Sequence, residues 1–271
     1  MQTPKSKLAS FVYLKEQIKA LKHSRFLAGR VAYQFLRPPW ILAKLLTDGE
    51  YRSEHVTRWK FNRHYYQRSI LTEPNRYPDL FAQCKTYLST IKNPAILSFG
   101  CSTGEEVFTI GEYLPGAHIM GVDINEWCLK QCKKKSNNPR FSFQHRLSAG
   151  FATAGNFDAI FCMAVFQRNE NRSNPDNNIA QGFTFEQFEQ EILMLDNKLK
   201  PGGLFIIDNA DFSFTDTACS KHYQPPRFEK NKLPRNRPLF DRHNRKVAET
   251  QNDYRMFIKT KLPNKPETPN P

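Results

Sequence analysis

Apolar residues recur with two spacings that predict alternating strands and helices from residue 95 onward. Short apolar runs, typical of buried strands, alternate with segments whose apolar residues recur every three or four positions, as on one face of a helix. The predicted strands are residues 95–99, 118–122, 140–144, 157–162 and 204–208, and the helices between them are residues 105–113, 126–134 and 185–198. This alternation predicts an α/β fold with a doubly wound, mostly parallel sheet, whose ligand crevice lies beyond the carboxyl ends of the strands.

The segments that flank this alternating region complete the predicted domain. Pro78 and Asp79 mark the start of a preceding helix that carries Leu80, Phe81, Cys84 and Leu88. Two more strands are expected at residues 210–214 and 254–261, separated by a basic loop that holds Pro225, Pro226, Pro234 and Pro238. The polar, proline-rich composition of residues 263–271 predicts a disordered tail. The principal domain is therefore expected over residues 51–262.

Residues 1–50 predict a basic helical extension rather than a domain. Leu14, Ile18 and Leu21 fall on one helical stripe with lysines beside it, which describes a short amphipathic helix over residues 8–21. Such a helix either caps the core or lies on a membrane surface. Pro38 and Pro39 are predicted to break any continuous helix at that point, and Asp48-Gly49 marks a turn.

Residues 51–76 are rich in aromatic residues and arginines. Two interpretations are open for this segment. It is a lid over a ligand site, or its amphipathic side chains clamp it to the surface of the domain. Its members are Trp59, Phe61, Tyr65, Tyr66, Arg58, Arg63 and Arg68.

A glycine-bearing turn follows the first predicted strand and precedes the first predicted helix. It reads Gly100-Cys101-Ser102-Thr103-Gly104 and leads into Glu105. Glycine lets the backbone approach a ligand closely, and a helix N-terminus presents free N–H groups. The two-glycine spacing disfavours an NAD-dependent oxidoreductase, whose fingerprint carries three glycines.

An aspartate at the end of the second predicted strand strengthens the cofactor hypothesis. Asp123, followed by Ile124, lies 23 residues beyond Gly100. A carboxylate at this place can accept hydrogen bonds from both ribose hydroxyls of a nucleoside cofactor. The alternative role is to cap the following helix, but in combination with the turn we favour cofactor binding.

A third pair of motifs resembles the class I S-adenosylmethionine-dependent methyltransferases. Phe157-Asp158-Ala159-Ile160 resembles the F-D-x-I strand of that class, and Leu199-Lys200-Pro201-Gly202-Gly203 resembles its L-K-P-G-G turn. The resemblance spans residues 95–208 and implies a seven-stranded sheet, S-adenosylmethionine as the cofactor and a methyltransferase activity.

Within that class, residues 97–106 resemble the chemotaxis-receptor glutamate methyltransferases, whose turn reads S-A-G-C-S-T-G-E-E. This resemblance implies that Thr103 and Glu105 approach the methionine end of the cofactor, Asp123 the ribose, and Leu147 and Met163 the adenine. The departures are Met163-Ala164 in place of Arg-Asn, Arg146 in place of an asparagine and Val107 in place of a proline. We also find no room for that family's helical domain, so transfer to a receptor glutamate is not expected.

The net charge of +14 is concentrated at the two ends of the chain. Residues 1–70 hold 14 Lys and Arg against 4 Asp and Glu, and residues 221–271 hold 13 against 5, whereas the middle holds 13 against 17. Basic ends of this kind attract anions, such as an anionic membrane surface, RNA or phosphorylated small molecules. The alternative is a solvated surface that keeps the protein soluble.

The six cysteines lack the spacing of a disulfide scaffold or a zinc site, so no metal is expected. Cys128 and Cys132 are expected to be packed thiols. Lysines interrupt every early apolar run, which argues against a signal peptide, and residues 35–46 are too short an apolar run for a transmembrane helix. A cytoplasmic protein is expected, peripheral to the membrane at most.

The acceptor expected from the sequence is an oxygen or nitrogen of a small-molecule, glycan or lipid-linked compound. In-line methyl transfer needs little covalent help, so no catalytic residue is assigned. If the acceptor is a hydroxyl or amine, the candidates for a catalytic base near the strand ends and the late loop are Gln167, Asp208, Asp211 and His222. The alternatives are an RNA or protein methyltransferase, or a non-catalytic module that binds S-adenosylmethionine.

Overall fold

A computed structural model of the chain describes residues 17, 19–67, 69–168, 180, 182–227, 239–247 and 254–260. The predicted helix over residues 8–21 and the predicted tail over residues 263–271 lie mostly or wholly outside the described residues. The chain divides into two compact units, residues 1–56 and residues 57–271, which we describe separately.

The unit of residues 1–56 is helical where it is described. Helix α1 spans Leu27–Thr47, and helix α2 spans Gly49–Phe61 and so begins in this unit. Asp48 separates them, and its carboxylate accepts a hydrogen bond from the backbone N–H of Tyr51 at 3.0 Å.

The predicted break at Pro38 and Pro39 is wrong, because α1 continues through both prolines. Each proline removes one backbone N–H, which deprives the carbonyl four residues earlier of its helical partner. The turns on either side keep their hydrogen bonds, and Asp48 still donates its N–H to the carbonyl of Lys44 at 2.9 Å. Two missing donors therefore do not end this helix.

The unit of residues 57–271 is built on a seven-stranded sheet in the order β3-β2-β1-β4-β5-β7-β6. Strands β1 to β5 are mutually parallel, and β7 pairs antiparallel with both β5 and β6. The strands are β1 Ala95–Phe99, β2 His118–Asp123, β3 Phe141–His145, β4 Phe157–Met163, β5 Leu199–Asp208, β6 Tyr223–Gln224 and β7 Met256–Lys259. The predicted α/β fold with a doubly wound, mostly parallel sheet is confirmed.

Helices connect the parallel strands and cover both faces of the sheet. They are α3 Pro78–Tyr87, α4 Glu105–Tyr113, α5 Glu126–Lys135, α6 Ala149–Thr153 and α7 Phe185–Asp196. Alternate residues of β1 enter opposite cores: Ile96 packs with residues of α3, α4 and α5, whereas Leu97 and Phe99 pack with residues of α6 and α7. This alternation follows from the two-residue repeat of a strand with both faces buried.

The predicted strand over residues 210–214 is wrong. Ala210, Phe212 and Phe214 are buried, but Phe212 makes a single bridge to Phe240 and Phe214 begins a 3-10 turn. The neighbouring edge of β5 is already paired with β7, so this segment has no free edge to join. Its apolar alternation reflects packing into an aromatic core instead.

Candidate active site

The loop between β1 and α4 is a tight turn with three residues at positive φ. Gly100, Ser102 and Gly104 have φ values of 80°, 49° and 95°. The N–H groups of Gly100 and Cys101 both donate to the carbonyl of Val122 in β2, at 2.7 and 3.0 Å. A Cβ atom at Gly100 would overlap the side chain of Val165, so this position needs glycine for both space and backbone conformation.

Asp123, the last residue of β2, joins this turn to the start of α5. Its Oδ2 accepts the N–H of Ser102 at 2.8 Å, and its Oδ1 accepts the N–H of Asn125 at 2.7 Å. Burial raises the pKa of Asp123, and these backbone donors partly oppose the rise. Each carboxylate oxygen still has a lone pair for an external donor such as a hydroxyl.

A cavity of about 320 Å³ opens at the carboxyl ends of β1, β2 and β4. This volume is within the range of small-molecule sites, roughly 300–1,000 Å³. Six of the residues predicted to bind the cofactor line it: Gly100, Cys101, Ser102, Asp123, Ile124 and Met163. The structure therefore brings the turn, the strand-end aspartate and the end of β4 to one place.

Four other predicted residues, Thr103, Gly104, Glu105 and Leu147, are not part of the cavity wall. Thr103 donates its hydroxyl to Glu105 Oε2 at 2.6 Å, and the Lys135 ammonium pairs with the other oxygen of Glu105. Burial alone would raise the pKa of Glu105, but these two hydrogen bonds hold it below its usual value. The Leu147 side chain is half exposed.

Glu106 lines the cavity, although no motif in the sequence singles it out. Its Oε1 accepts a hydrogen bond from Ser98 Oγ at 2.7 Å. Burial raises the pKa of Glu106 to about 7, against the opposing effects of Ser98 and the Arg76 guanidinium. The sequence signal was the pair Glu105-Glu106 at the start of a helix, where either carboxylate can face the ligand.

Residues 64–67 and 69–77, which we call the cover segment, contribute a second part of the cavity wall through all of their members except Pro74 and Asn75. Ser102 donates its hydroxyl to the carbonyl of Ile70 at 2.7 Å, which ties this segment to the glycine turn. Near its other end, Asn75 donates its N–H to Thr109 Oγ1 at 3.1 Å, and Asn209 donates to the Tyr77 hydroxyl at 3.1 Å. This segment belongs to the predicted lid over residues 51–76 and extends one residue beyond it.

A buried ionic cluster holds the start of the cover segment. Arg146 donates from Nη2 to both carboxylate oxygens of Glu191 at 2.9 Å, and the Tyr66 hydroxyl donates to Glu191 Oε1 at 3.0 Å. The Arg146 guanidinium also lies 5.6 Å from the ring centre of Phe99. His64 Nδ1 lies 3.7 Å from Glu191 Oε1. Tyr66 and Arg146 both line the cavity, so Glu191 holds two of its side chains by hydrogen bonds, and His64, which also lines it, lies nearby.

Four side chains were candidates for a catalytic role. Gln167 lines the cavity, and the other three do not. Its amide Nε2 donates to the carbonyl of Ala164 at 2.6 Å. Asp211 is buried and accepts the N–H of Arg168, and His222 ends a 3-10 turn at Ala218–His222. Asp208 accepts hydrogen bonds from Asn209.

The six cysteines are free and buried, and Cys132 donates to the carbonyl of Ser102 at 3.2 Å. Within the described residues, no group of three or more His, Cys, Asp or Glu side chains is placed to hold a metal ion.

Residues 96–177 match a family model described as a methyltransferase domain. This match covers less than a third of the chain and agrees with the methyltransferase resemblance of its strand and turn motifs. No curated protein matches the sequence at a significant level.

Several solved methyltransferase structures are similar to parts of the chain. The plantazolicin methyltransferase BpumL in complex with SAH has 18% identity and a TM-score of 0.37 over 72% of this chain and 61% of its own. An S-adenosylmethionine-dependent methyltransferase from Thiobacillus denitrificans has 18% identity and a TM-score of 0.34 over 56% and 53%. The amino pentose methyltransferase CalS10 from Micromonospora echinaspora has 16% identity and a TM-score of 0.35 over 58% and 54%. The chain thus spans about 61% of the length of BpumL.

Proposed function

We propose that the protein is an S-adenosylmethionine-dependent methyltransferase that acts on an oxygen or nitrogen of a small-molecule, glycan or lipid-linked acceptor. The observation that carries this proposal is the cavity at the carboxyl ends of β1, β2 and β4, where Asp123 and the glycine turn meet. Ligands of open α/β sheets bind at this edge.

The charges around the cavity fit the groups of S-adenosylmethionine. Asp123 offers a buried acceptor for a ribose diol, and Glu106 offers an acceptor for the α-ammonium group. Arg76 also lines the cavity and can bind the carboxylate of the same amino acid moiety. We assign the ammonium to Glu106 rather than to Glu105, because Glu105 is already paired with Lys135 and Thr103.

When bound, the cofactor supplies an electrophilic methyl group on a sulfonium. The protein then has to orient the acceptor and exclude water, which can provide much of the rate enhancement of an in-line displacement. The floor of the cavity, residues 99–102 and 122–124, orients the nucleoside, and the cover segment excludes water. No proton acceptor is assigned among the lining residues.

The size and lining of the cavity favour a small acceptor. A volume of about 320 Å³ is at the lower end of the range of small-molecule sites, which favours a compact reacting group beside the cofactor. Tyr65, Tyr66 and Gln167 line it with aromatic rings and amide or hydroxyl groups, which suit a neutral hydroxyl or amine compound.

Isothermal titration of S-adenosylmethionine and S-adenosylhomocysteine into the protein tests the cofactor site. We expect micromolar binding, weakened at least about 100-fold in Asp123→Ala, because two hydrogen bonds to a charged acceptor contribute about 3 kcal/mol or more. Asp79→Ala is the matched control, because Asp79 is an exposed aspartate at the start of α3.

Two results would contradict the proposal. Failure of the folded protein to bind either compound would rule out the cofactor site. Binding without transfer of a labelled methyl group to any compound in a broad set of hydroxyl and amine acceptors would favour a non-catalytic binding module.

A further inference from the structure

Helix α1 presents a continuous apolar stripe that the protein leaves exposed. None of its residues, all of which the structure describes, is buried. Leu27, Phe35 and Leu46 are 70%, 76% and 70% exposed, and Val31 and Leu42 are also exposed. At 100° per residue these five side chains fall within an arc of about 100°, so they form one stripe along the helix.

A row of basic side chains borders this apolar stripe. Arg30, Arg37 and Lys44 are spaced seven residues apart, which places them above one another, about 60–100° around the helix from Leu27. Residues 17–47 contain three further basic residues, Lys19, Lys22 and Arg25, and no Asp or Glu. Lys44 pairs with Asp48 at 3.7 Å just beyond the helix, so Arg30 and Arg37 carry most of the positive charge beside the apolar face.

Two amphipathic aromatic residues lie on the basic side of the helix. The Arg37 guanidinium lies 5.9 Å from the ring centre of Tyr33, and the Lys44 ammonium lies 5.8 Å from that of Trp40. At 100° per residue both rings lie nearly opposite the centre of the apolar stripe, so they face away from a surface that the stripe contacts.

We infer that α1 binds the surface of an anionic lipid bilayer, with its apolar stripe at the boundary of the acyl chains and its basic edge at the headgroups. Charge complementarity selects this partner, because three aligned cations beside an apolar stripe match a surface that is anionic outside and apolar beneath. RNA would engage the cations but would leave the five apolar side chains in water.

The geometry of α1 is that of a helix that lies on a membrane. No helix in the described part of the chain is long and apolar enough to cross a bilayer. Pro38 and Pro39 deprive the carbonyls of Gln34 and Phe35 of their helical donors, and such groups can be hydrated at an interface but not in the bilayer core. This inference does not depend on the methyltransferase activity.

Flotation of the full chain with vesicles tests the inference. We expect binding to vesicles of equimolar phosphatidylcholine and phosphatidylserine, weak binding to phosphatidylcholine alone, and loss of binding at high salt. The triple variant Arg30→Gln, Arg37→Gln, Lys44→Gln should bind about 100-fold more weakly, given about 1 kcal/mol for each basic residue near an anionic surface.

A matched pair of variants distinguishes the apolar stripe from exposed apolar surface in general. Phe35→Ser with Leu42→Ser alters the stripe, whereas Leu36→Ser alters a leucine that is 46% exposed and lies outside the arc of the stripe. We expect the double variant to lose vesicle binding and Leu36→Ser to keep it, with unchanged thermal midpoints for both.

Four results would overturn the inference. They are no binding of the folded chain to phosphatidylserine vesicles, equal binding by the stripe variant, a lowered thermal midpoint in that variant, or a dimer that depends on the stripe. The midpoint shift would mean that the stripe is packed within the protein. Binding of the chain to single-stranded RNA in place of the vesicles would show that the basic residues serve a nucleic acid.

Discussion

The floor and the cover segment of the cavity are held in place by different kinds of contact. In the floor, backbone N–H groups of Gly100 and Cys101 bond to the carbonyl of Val122, and that of Ser102 bonds to Asp123. In the cover segment, Tyr66 bonds to Glu191 and Tyr77 bonds to Asn209, partners that lie 125 and 132 residues further along the chain.

This difference separates two kinds of sensitivity. The floor depends on backbone conformation over a short stretch of sequence, so substitutions that change φ or add a Cβ atom should damage it most. The cover segment depends on a few side chains from distant elements, so the removal of one partner should loosen it while the floor keeps its geometry.

The largest effect is expected from Glu191→Gln, which removes the carboxylate of the buried cluster. Arg146 would lose its charge partner while its side chain remains only 16% exposed. We expect the free energy of unfolding to fall by about 2–3 kcal/mol, because an unpaired buried charge is costly. Urea denaturation measures this loss, and limited proteolysis should detect new cleavage within residues 64–77.

Glu186→Gln is the matched control for that experiment, because Glu186 is exposed on the same helix, α7. Its effect should stay within about 0.5 kcal/mol. If both variants are equally stable, Glu191 does not hold the cover segment and the contrast with the floor fails.

A smaller effect is expected from Gly100→Ala, which targets the floor. Gly100 has a φ of 80°, and a Cβ atom there would overlap Val165. The left-handed backbone costs a residue other than glycine about 1–2 kcal/mol, and the overlap adds to it, so we expect a loss of about 2 kcal/mol together with weaker cofactor binding.

Gly202→Ala separates these two causes. Gly202 has a similar φ of 81°, but a Cβ atom there would meet nothing within 4 Å. This control should lose only about 1 kcal/mol, measured by the same urea denaturation. Equal losses in the two variants would mean that the close approach of Gly100 to Val165 contributes nothing.

The smallest effect is expected at Glu106, where the floor meets the cover segment. Glu106→Gln should weaken S-adenosylmethionine binding by about tenfold, because one charge-assisted hydrogen bond contributes about 1.5 kcal/mol. Glu105→Gln should change the affinity less than about twofold, because Glu105 faces Lys135 and not the cavity. Titration calorimetry on the two neighbouring variants makes this comparison.

The same pair of variants gives a test by pH. Burial raises the pKa of Glu106 from 4.5 to about 7, so the folded protein binds more protons than the unfolded chain between these values and loses stability as the pH rises through this window. Cofactor affinity should rise over the same window, because the ionised carboxylate binds the ammonium. An unchanged pH profile in Glu106→Gln would remove Glu106 from the cofactor site.

The sequence by itself determined the framework of the sheet. Residues 95–99 and 105–113 were predicted with the bounds that β1 and α4 have, and β2, β4 and α7 differ by one or two residues at one end. Apolar runs and helical periodicity decide these elements locally. The same local logic located the glycine turn and Asp123, because each follows directly from where a strand ends.

Only the tertiary structure decided which side chains reach the cavity and which apolar segments join the sheet. Glu105 and Glu106 are chemically alike, and the rotation of α4 on its neighbours directs the second to the cavity. Residues 210–214 alternate like a strand but find no free strand edge, and α1 shows a core-like stripe but buries none of it. A sequence pattern states what a segment can bury, whereas the partners brought by the fold decide what it does bury.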